Sequence, residues 1–436
     1  MTGAESMSQP LRIGVAGLGT VGAGVLRLLA GHGDLLERRC GRRLQVAAVS
    51  ARDKTKDRGV SLDGIRWLDD PMAMAGDDGV DVVVELIGGS EGVAKNLCEA
   101  VIANGKHLVT ANKALLAHHG TALALAAEGA GVTLGFEAAV AGGIPIVKTL
   151  REALAGNGIG RVYGILNGTC NYILSAMRDS GREFDDILAE TQELGYAEAD
   201  PSLDIDGVDT AHKVALLASL AFGCQVDFGS IHIEGIRHVT PMDIRFAEEL
   251  GYRIKLLGIA TVTDGELEQR VHPCMVPGTA PIATVEGALN AVVADGDFIG
   301  TLMQEGLGSG AGPTASAVLS DLVDIARGRV VPTFSVPARE LGKIPARPMD
   351  RHRGAYYIRL MVVDRPGVFA DVAAVLRDHD VSMEAVLQRA RDPGEAVPVV
   401  IILHETQERE MMRALDEIGA LEAVIEPPCM IRIESL

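Results

Sequence analysis

A glycine-rich turn near the start of the chain constrains its fold more than any other feature. The apolar run Leu11–Ala16 leads directly into Gly17-Leu18-Gly19-Thr20-Val21-Gly22, a complete G-x-G-x-x-G, and a helical pattern follows. Between a strand and a helix each glycine has its own task. Gly17 permits the tight turn, Gly19 lets the backbone approach a pyrophosphate, and Gly22 lets the helix pack closely on the strand. Thr20 and Val21 join them as cofactor-binding positions, because the helix N-terminus faces the phosphate charge. Further apolar runs at Leu44–Val49, Val80–Ile87, His107–Thr110 and Val132–Phe136 alternate with Ala/Leu-rich helical stretches. That alternation predicts parallel βαβ units, a dinucleotide-binding domain over residues 1–140.

The tips of these strands name the ligand. In such sheets ligands sit outside the carboxyl ends, so the second tip, Ser50-Ala51-Arg52-Asp53-Lys54, faces the adenosine ribose. Ser50, Arg52 and Lys54 suit a 2′-phosphate and favour NADP, while Asp53 keeps NAD open. Two more tips, Ile87-Gly88-Gly89-Ser90 and Thr110-Ala111-Asn112-Lys113, enter the same crevice and make Ser90 and Lys113 candidate ligand contacts.

With 436 residues the chain needs more than one core. The texture changes over 141–304, read as a catalytic domain of mixed α/β pattern. A second glycine-rich turn, Gly306–Gly312, and a helix from Pro313 to about Arg327 make 305–330 a completion of the first domain. Residues 331–353 carry Pro332, Pro337, Pro345 and Pro348 amid basic residues and read as a linker. Residues 354–436 follow the order βαββαβ, a ferredoxin-like arrangement. A linker of this kind implies that any coupling between the domains runs through a docked interface or oligomer contacts.

The formal charge of -19 and aromatic content of 3% argue against nucleic acid and anionic membranes as partners. Six scattered cysteines without metal-ligand spacing read as free thiols in a reducing compartment. The polar start lacks a signal-peptide core, and no run of about 18 apolar residues could span a bilayer. A cytoplasmic location is expected.

The densest polar cluster is Gly195-Tyr-Ala-Glu198-Ala-Asp200-Pro-Ser-Leu-Asp204-Ile-Asp206-Gly-Val-Asp209-Thr-Ala-His-Lys213. It is not a calcium loop: aligning Ser202, Asp204, Asp206 and Gly207 on one puts Lys213 where the bidentate Glu must stand. Asp209 and Lys213 share a helix face one turn apart, on a helix otherwise strongly apolar, which places the pair at a cleft edge. A lysine so placed can exchange a proton, and carboxylates nearby can hold a substrate ammonium. Asp209 favours the charged form of such a lysine, and a nearby Lys113 opposes it. His118, His119, His232 and His238 show no ligand triad and read as structural.

At these residues the chain resembles homoserine dehydrogenase. The segments that carry the resemblance are Thr110-Ala-Asn-Lys113, Phe136-Glu137-Ala-Ala-Val-Ala-Gly-Gly-Ile-Pro145, Asn167-Gly-Thr-Cys-Asn-Tyr and Gly195-Tyr-Ala-Glu-Ala-Asp-Pro. The resemblance implies hydride transfer between L-homoserine and L-aspartate 4-semialdehyde, with Lys213 as proton donor and acceptor. It further implies that Glu198 and Asp209 contact homoserine with Asp204 in support. Lys113 would touch cofactor and substrate, and Gly195 and Gly312 would border the nicotinamide nucleotide. It also implies a monovalent cation, Na+, held mainly by backbone carbonyls at Glu137, Val140, Gly142 and Ile144. Cys170 departs from the family, which more often has a hydroxyl residue there. With no aspartokinase segment before Leu11, the resemblance is to the monofunctional type.

Tyr356–Arg365 followed by Pro366-Gly367-Val368-Phe369 resembles an ACT domain, with a turn needing positive φ at Gly367. The resemblance implies an amino-acid effector, L-threonine, bound at a subunit interface of a homodimer or homotetramer; a purely assembling domain is the alternative. The expected fold class is α/β: an N-terminal Rossmann domain, an α+β catalytic and dimerisation domain, and a C-terminal ferredoxin-like ACT domain. A non-catalytic sensor of dinucleotide and amino acid would have no need for the acid–base lysine.

Overall fold

The computed structural model describes residues 9–195, 197–389 and 394–436; residues 1–8 and the motif residue Tyr196 lie outside them. Six strands form a parallel sheet: β1 (Leu11–Ala16), β2 (Leu44–Ser50), β3 (Arg66–Trp67), β4 (Val82–Glu85), β5 (His107–Thr110) and β6 (Leu134–Gly135). Their order is β3-β2-β1-β4-β5-β6, the doubly wound order of a Rossmann domain. Ile13, Val15, Val82, Val83 and Val84 are fully buried, as a parallel sheet covered on both faces requires. The helix Ala311–Ala326 returns to this sheet and lies against the Thr20–Cys40 helix. A Cβ at Gly24 would come within 2.6 Å of the Ala311 carbonyl oxygen, so the two helices meet backbone to backbone there.

The fourth strand is shorter than its apolar run. The buried carboxylate of Glu85 accepts from the amides of Ile87 (2.7 Å) and Gly88 (2.9 Å), which turns the chain out of the sheet. Its other oxygen accepts from Thr110 Oγ1 at 2.6 Å and ties the tips of β4 and β5 together.

A second sheet contains β7 (Ile159–Ile165), β9 (Tyr252–Thr263), β10 (Glu266–Pro277), β11 (Leu289–Gly296) and β12 (Gly300–Leu307), with β8 (His232–Ile233) beside β10. It is backed by the helix Val208–Phe222, whose residues from Asp209 to Leu220 are all buried. Gly258 on β9 makes this contact possible: a Cβ there would lie 2.9 Å from Thr210 Cγ2 and overlap Val214.

The C-terminal segment forms β13 (Arg353–Val363), helix Val368–Asp378, β14 (Met383–Leu387), β15 (Ala396–Gln407), helix Glu408–Gly419 and β16 (Cys429–Ile433). This is the expected βαββαβ order. The last strand begins well after Leu421, because Pro427 and Pro428 have no N–H to give a ladder.

Two expectations need correction. The stretch 331–353 is packed rather than a loose linker. Phe334 is fully buried against Phe136, and the Glu128 carboxylate accepts from the amides of Thr333 (2.9 Å) and Ala338 (2.7 Å). The domains are joined by a continuous element rather than by docking alone: β16 pairs in parallel with β10, so that β12-β11-β7-β9-β10-β16-β13-β15-β14, with β8 beside β10, form one ten-stranded sheet.

Charged groups line this seam. Buried Arg432 on β16 donates to both oxygens of Glu234 (2.9 and 2.8 Å) and to Glu408, which also accepts from Tyr356 Oη at 2.8 Å. Arg270 on β10 holds Glu434 through both carboxylate oxygens, at 2.8 and 3.0 Å. Asp243 caps its own helix with Thr240 and accepts from Tyr357 Oη (2.9 Å) and Arg359 Nε (2.7 Å) on β13. Burial alone would raise the Glu234 carboxyl, but hydrogen bonds from His232 and Arg432 hold it well below its usual range.

Breaking one side of a buried pair leaves an uncompensated charge, so Arg432→Ala should lower the unfolding free energy by about 3–5 kcal/mol. Because the folded Glu234 carboxyl is depressed, its contribution is complete above its ordinary value of 4.5 and is lost as pH falls below that. Urea unfolding of the wild type should therefore weaken on acidification below pH 4.5, and Arg432→Ala should weaken less steeply. A variant as stable as the wild type would show that the seam adds nothing.

Candidate functional site

One cleft of about 510 Å³ lies between the two sheets. Its lining includes Thr20 and Val21 from the glycine turn, Lys113, and the helix residues Asp209 and Lys213 with Asp204, Gly195 and Glu198. Gly207, at φ 86°, turns the chain into the Val208–Phe222 helix and so aims its first turn at the cleft.

At the floor one carboxylate is shared by two ammonium groups. Lys213 Nζ donates to Asp209 Oδ2 at 2.7 Å and to the Leu166 carbonyl at 2.6 Å. Lys113 Nζ approaches the other oxygen, Asp209 Oδ1, at 3.0 Å. Burial would raise the Asp209 carboxyl, but the charges of Lys213 and Lys113 hold it far below its usual range. The same carboxylate raises Lys113 above the ordinary lysine value, which keeps that residue a cation. Lys113 is positioned by Asn112, whose Oδ1 caps its helix at Leu115 N (3.0 Å) while Nδ2 donates to Gly89 O (2.7 Å).

Asn167 binds the carboxylates into a group. Its Nδ2 donates to Asp204 Oδ1 (2.8 Å) and Asp209 Oδ2 (3.0 Å), and its Oδ1 caps the Gly168–Ser180 helix at Cys170 N (2.9 Å). Burial and the Asp209 charge raise the Asp204 carboxyl. Cys170 points its thiol at the Asp204 carbonyl, 3.2 Å away, where a hydroxyl could do the same. His212, on the Val208–Phe222 helix, packs on Phe228 and is lowered to about 4, chiefly by burial, so it is a neutral imidazole near pH 7. His118 lies against the same Phe228 ring.

The dinucleotide end fits its group. A Cβ at Gly17 (φ 103°) would come within 2.5 Å of the Leu86 carbonyl oxygen, and one at Gly22 would overlap the Gly17 carbonyl. At Gly19 nothing lies within 4 Å of that position, which leaves room for a phosphate beside the helix N-terminus. Ser50 is buried, and its carbonyl accepts from Gly17 N at 2.9 Å; it shapes the turn from inside. Arg52 and Lys54 are exposed on the loop after β2. Arg58 joins them there: its Nε donates to Leu18 O at 3.1 Å within the glycine turn, and its guanidinium lies 5.7 Å from the Trp67 ring centre. Asp53 turns one oxygen to Thr55 N and Oγ1 of its own loop. Ser90 follows the positive-φ glycines Gly88 and Gly89, and Gly312 lies between the cleft-lining Gly310 and Thr314.

In the loop expected to hold a cation, Glu137, Val140, Gly142 and Ile144 are all buried. The Glu137 carboxylate is turned away to the amides of Val147 (2.9 Å) and Lys148 (3.0 Å), and burial pushes it up to about 7. Backbone carbonyls are therefore the donors this loop offers. The Ile144 carbonyl already accepts from Ile146 N at 2.8 Å.

Arg58, Asn112 and Asn167 were not foreseen from sequence as site residues. Asn112 and Asn167 each stand immediately before a helical run, a capping signal that names the cap without naming its neighbours. A second cavity, about 240 Å³, opens at the C-terminal domain beside Asp364–Phe369, with Gln388 and Val399 in its lining and φ 100° at Gly367.

Comparison with known proteins bears on the whole chain. Residues 17–137 match the homoserine dehydrogenase NAD-binding domain, residues 145–323 the homoserine dehydrogenase domain, and residues 356–420 the ACT domain. The chain is 43% identical to a homoserine dehydrogenase of Neisseria gonorrhoeae over 98% of its length and 99% of the relative's. It is 42% identical to one of Pseudomonas aeruginosa, covering 98% of this chain and all of that one. The crystal structure of a homoserine dehydrogenase from Thiobacillus denitrificans superposes with TM-score 0.93 at 45% identity, covering 98% of this chain and 99% of that one. With its glycine turn, its lysine–carboxylate floor and these likenesses along its full length, the chain belongs to the homoserine dehydrogenase family.

Proposed function

We propose that the chain interconverts L-homoserine and L-aspartate 4-semialdehyde with NADP as its preferred cofactor, in the supply of threonine, methionine and isoleucine. The observation that carries this reading is the Asp209 carboxylate held between Lys113 and Lys213 at the floor of a cleft that also reaches the glycine turn. The nicotinamide dinucleotide, when bound, supplies the hydride in reduction and takes it in oxidation. Lys213 gives its proton to the oxygen of the aldehyde and takes it back in reverse. Its place beside Leu166 O and Asp209 fixes where that proton sits. Lys113, kept cationic by Asp209, stabilises the developing alkoxide and orients the substrate. Asp209, Asp204 and the exposed Glu198 attract the substrate ammonium, which selects an amino acid over a simple aldehyde.

Lys54 and Arg58 over Trp67, with Arg52 exposed on the same loop, favour a 2′-phosphate, and the engagement of Asp53 with Thr55 leaves the ribose hydroxyls a weaker claim on it. The carbonyls of Glu137, Val140, Gly142 and Ile144 are the groups that would hold Na+. The cavity beside Gly367 suits a small amino acid, and L-threonine is the effector we assign to it. Its signal would travel along β13 and β16 into β10. Action as a homodimer or homotetramer in the cytoplasm completes the reading. Among the described residues no helix is long and apolar enough to cross a membrane.

Lys213→Ala should reduce turnover by about 10² or more while leaving NADPH binding intact; near-normal turnover would end its acid–base role. Arg52→Ala and Arg58→Ala should each raise the KM for NADPH far more than that for NADH, since only NADPH carries the 2′-phosphate. Equal losses for both cofactors would remove these arginines from that phosphate. Titrating the intact protein with threonine, methionine and isoleucine at subsaturating substrate should show inhibition by threonine. A flat response to all three at millimolar levels would make the C-terminal domain an assembly module.

A further inference from the structure

The cleft has a polar group on its wall that the proton-transfer chemistry does not use. Asn290, the second residue of β11, lines the cleft yet is only 1% exposed, and its Oδ1 has no hydrogen-bond partner among the described residues. Two glycines leave it room: a Cβ at Gly308 would overlap its Nδ2, and one at Gly168 would stand 3.4 Å from its Oδ1. These neighbours also locate it along the cleft. Gly168 follows Asn167, which gathers the substrate-side carboxylates. Gly308 leads through Ser309 and Gly310 into the helix that packs on the dinucleotide domain. Asn290 therefore stands where the substrate end meets the cofactor end.

The residue is held rigidly. Asn171 Nδ2 donates to the carbonyls of Leu289 and Val285, both at 3.1 Å, and buried Lys255 donates to Val285 O at 2.6 Å. Such support fixes the backbone that enters β11, from which the Asn290 side chain projects.

We propose that Asn290 binds the carboxamide of the nicotinamide ring, its Oδ1 accepting from the carboxamide NH2 and its Nδ2 available to the carboxamide oxygen. A buried, unpartnered acceptor calls for a hydrogen-bond donor, N–H or O–H. Of the substrate's groups the carboxylate has none, the hydroxyl is the one that exchanges its proton with Lys213, and the ammonium is drawn to Asp209, Asp204 and Glu198. The carboxamide is neutral and offers an NH2 donor group and an acceptor oxygen, the complement of an asparagine amide. This assignment rests on the dinucleotide reading and adds to it a residue that orients the reacting ring.

The test is a binding comparison by isothermal titration calorimetry on the intact protein. The ligands are NADP+ and its 3-acetylpyridine analogue, in which a methyl replaces the carboxamide NH2. Asn290→Ala should raise the Kd for NADP+ roughly tenfold, the worth of a buried hydrogen bond, and that for the analogue less than threefold. Comparing each ligand across the two proteins cancels the intrinsic difference between the ligands. Equal weakening of both ligands, or of neither, would overturn the assignment and leave the dinucleotide reading intact. Failure of the wild type to bind either ligand would overturn both. If Asn290→Ala lacks the thermal transition of the wild type, Asn290→Ser is read in the same comparison with the same two outcomes.

Discussion

One carboxylate, Asp209, sits between two lysines that arrive from different parts of the chain. Lys113 opens the helix after β5 of the parallel sheet, and Lys213 stands one turn beyond Asp209 on a helix packed against the second sheet. At this low-dielectric floor each contact is stronger than it would be in water, and none can be lost without stranding a charge. The contact thus joins the parallel sheet to the helix that backs the second sheet, across the cleft. Gly258, Gly207 and Asn167 serve it, the first two by letting the helix approach and turn, the third by tying Asp204 into the same group.

The division of labour at the floor follows from which charges are fixed. Lys113 keeps its proton because Asp209 faces it, and His212 stays neutral because burial strips water from its ring. The site therefore holds a permanent cation beside a lysine that also touches a neutral carbonyl, Leu166 O. The carboxylates of Asp204 and Glu198 line the same cleft and add negative charge beside that cation.

The C-terminal domain is built into the molecule through a shared sheet and a row of buried ion pairs. Arg432, Arg359 and Arg270 each span from one side of the seam to the other, to Glu234, Asp243 and Glu434. Buried pairs of this kind contribute orientation more than stability, because desolvation offsets much of their attraction. The turn near Gly367 follows one end of β13, which pairs with β16 as β16 pairs with β10 of the second sheet.

Local chemistry made much of this legible in advance. The glycine turn, the alternating apolar runs and the βαββαβ order depend on residues close in sequence, and each formed nearly where its pattern lay. So did the Asp209–Lys213 pair, because a helix always brings residues four apart together. The end of β4 at Glu85, the burial of Ser50, the packing of 331–353 and the pairing of β16 with β10 depend on neighbours tens to hundreds of residues away. No local pattern reports where such a neighbour will stand. Local sequence was enough for the glycine turn at one end of the cleft and the Asp209–Lys213 pair with its neighbouring carboxylates at the other. Tertiary structure alone decided that Lys113 shares Asp209, that Arg58 reaches back to the glycine turn, and that Asn290 faces the cleft unpaired. Those contacts arise from how the sheets and helices pack, and packing is a property of the whole chain.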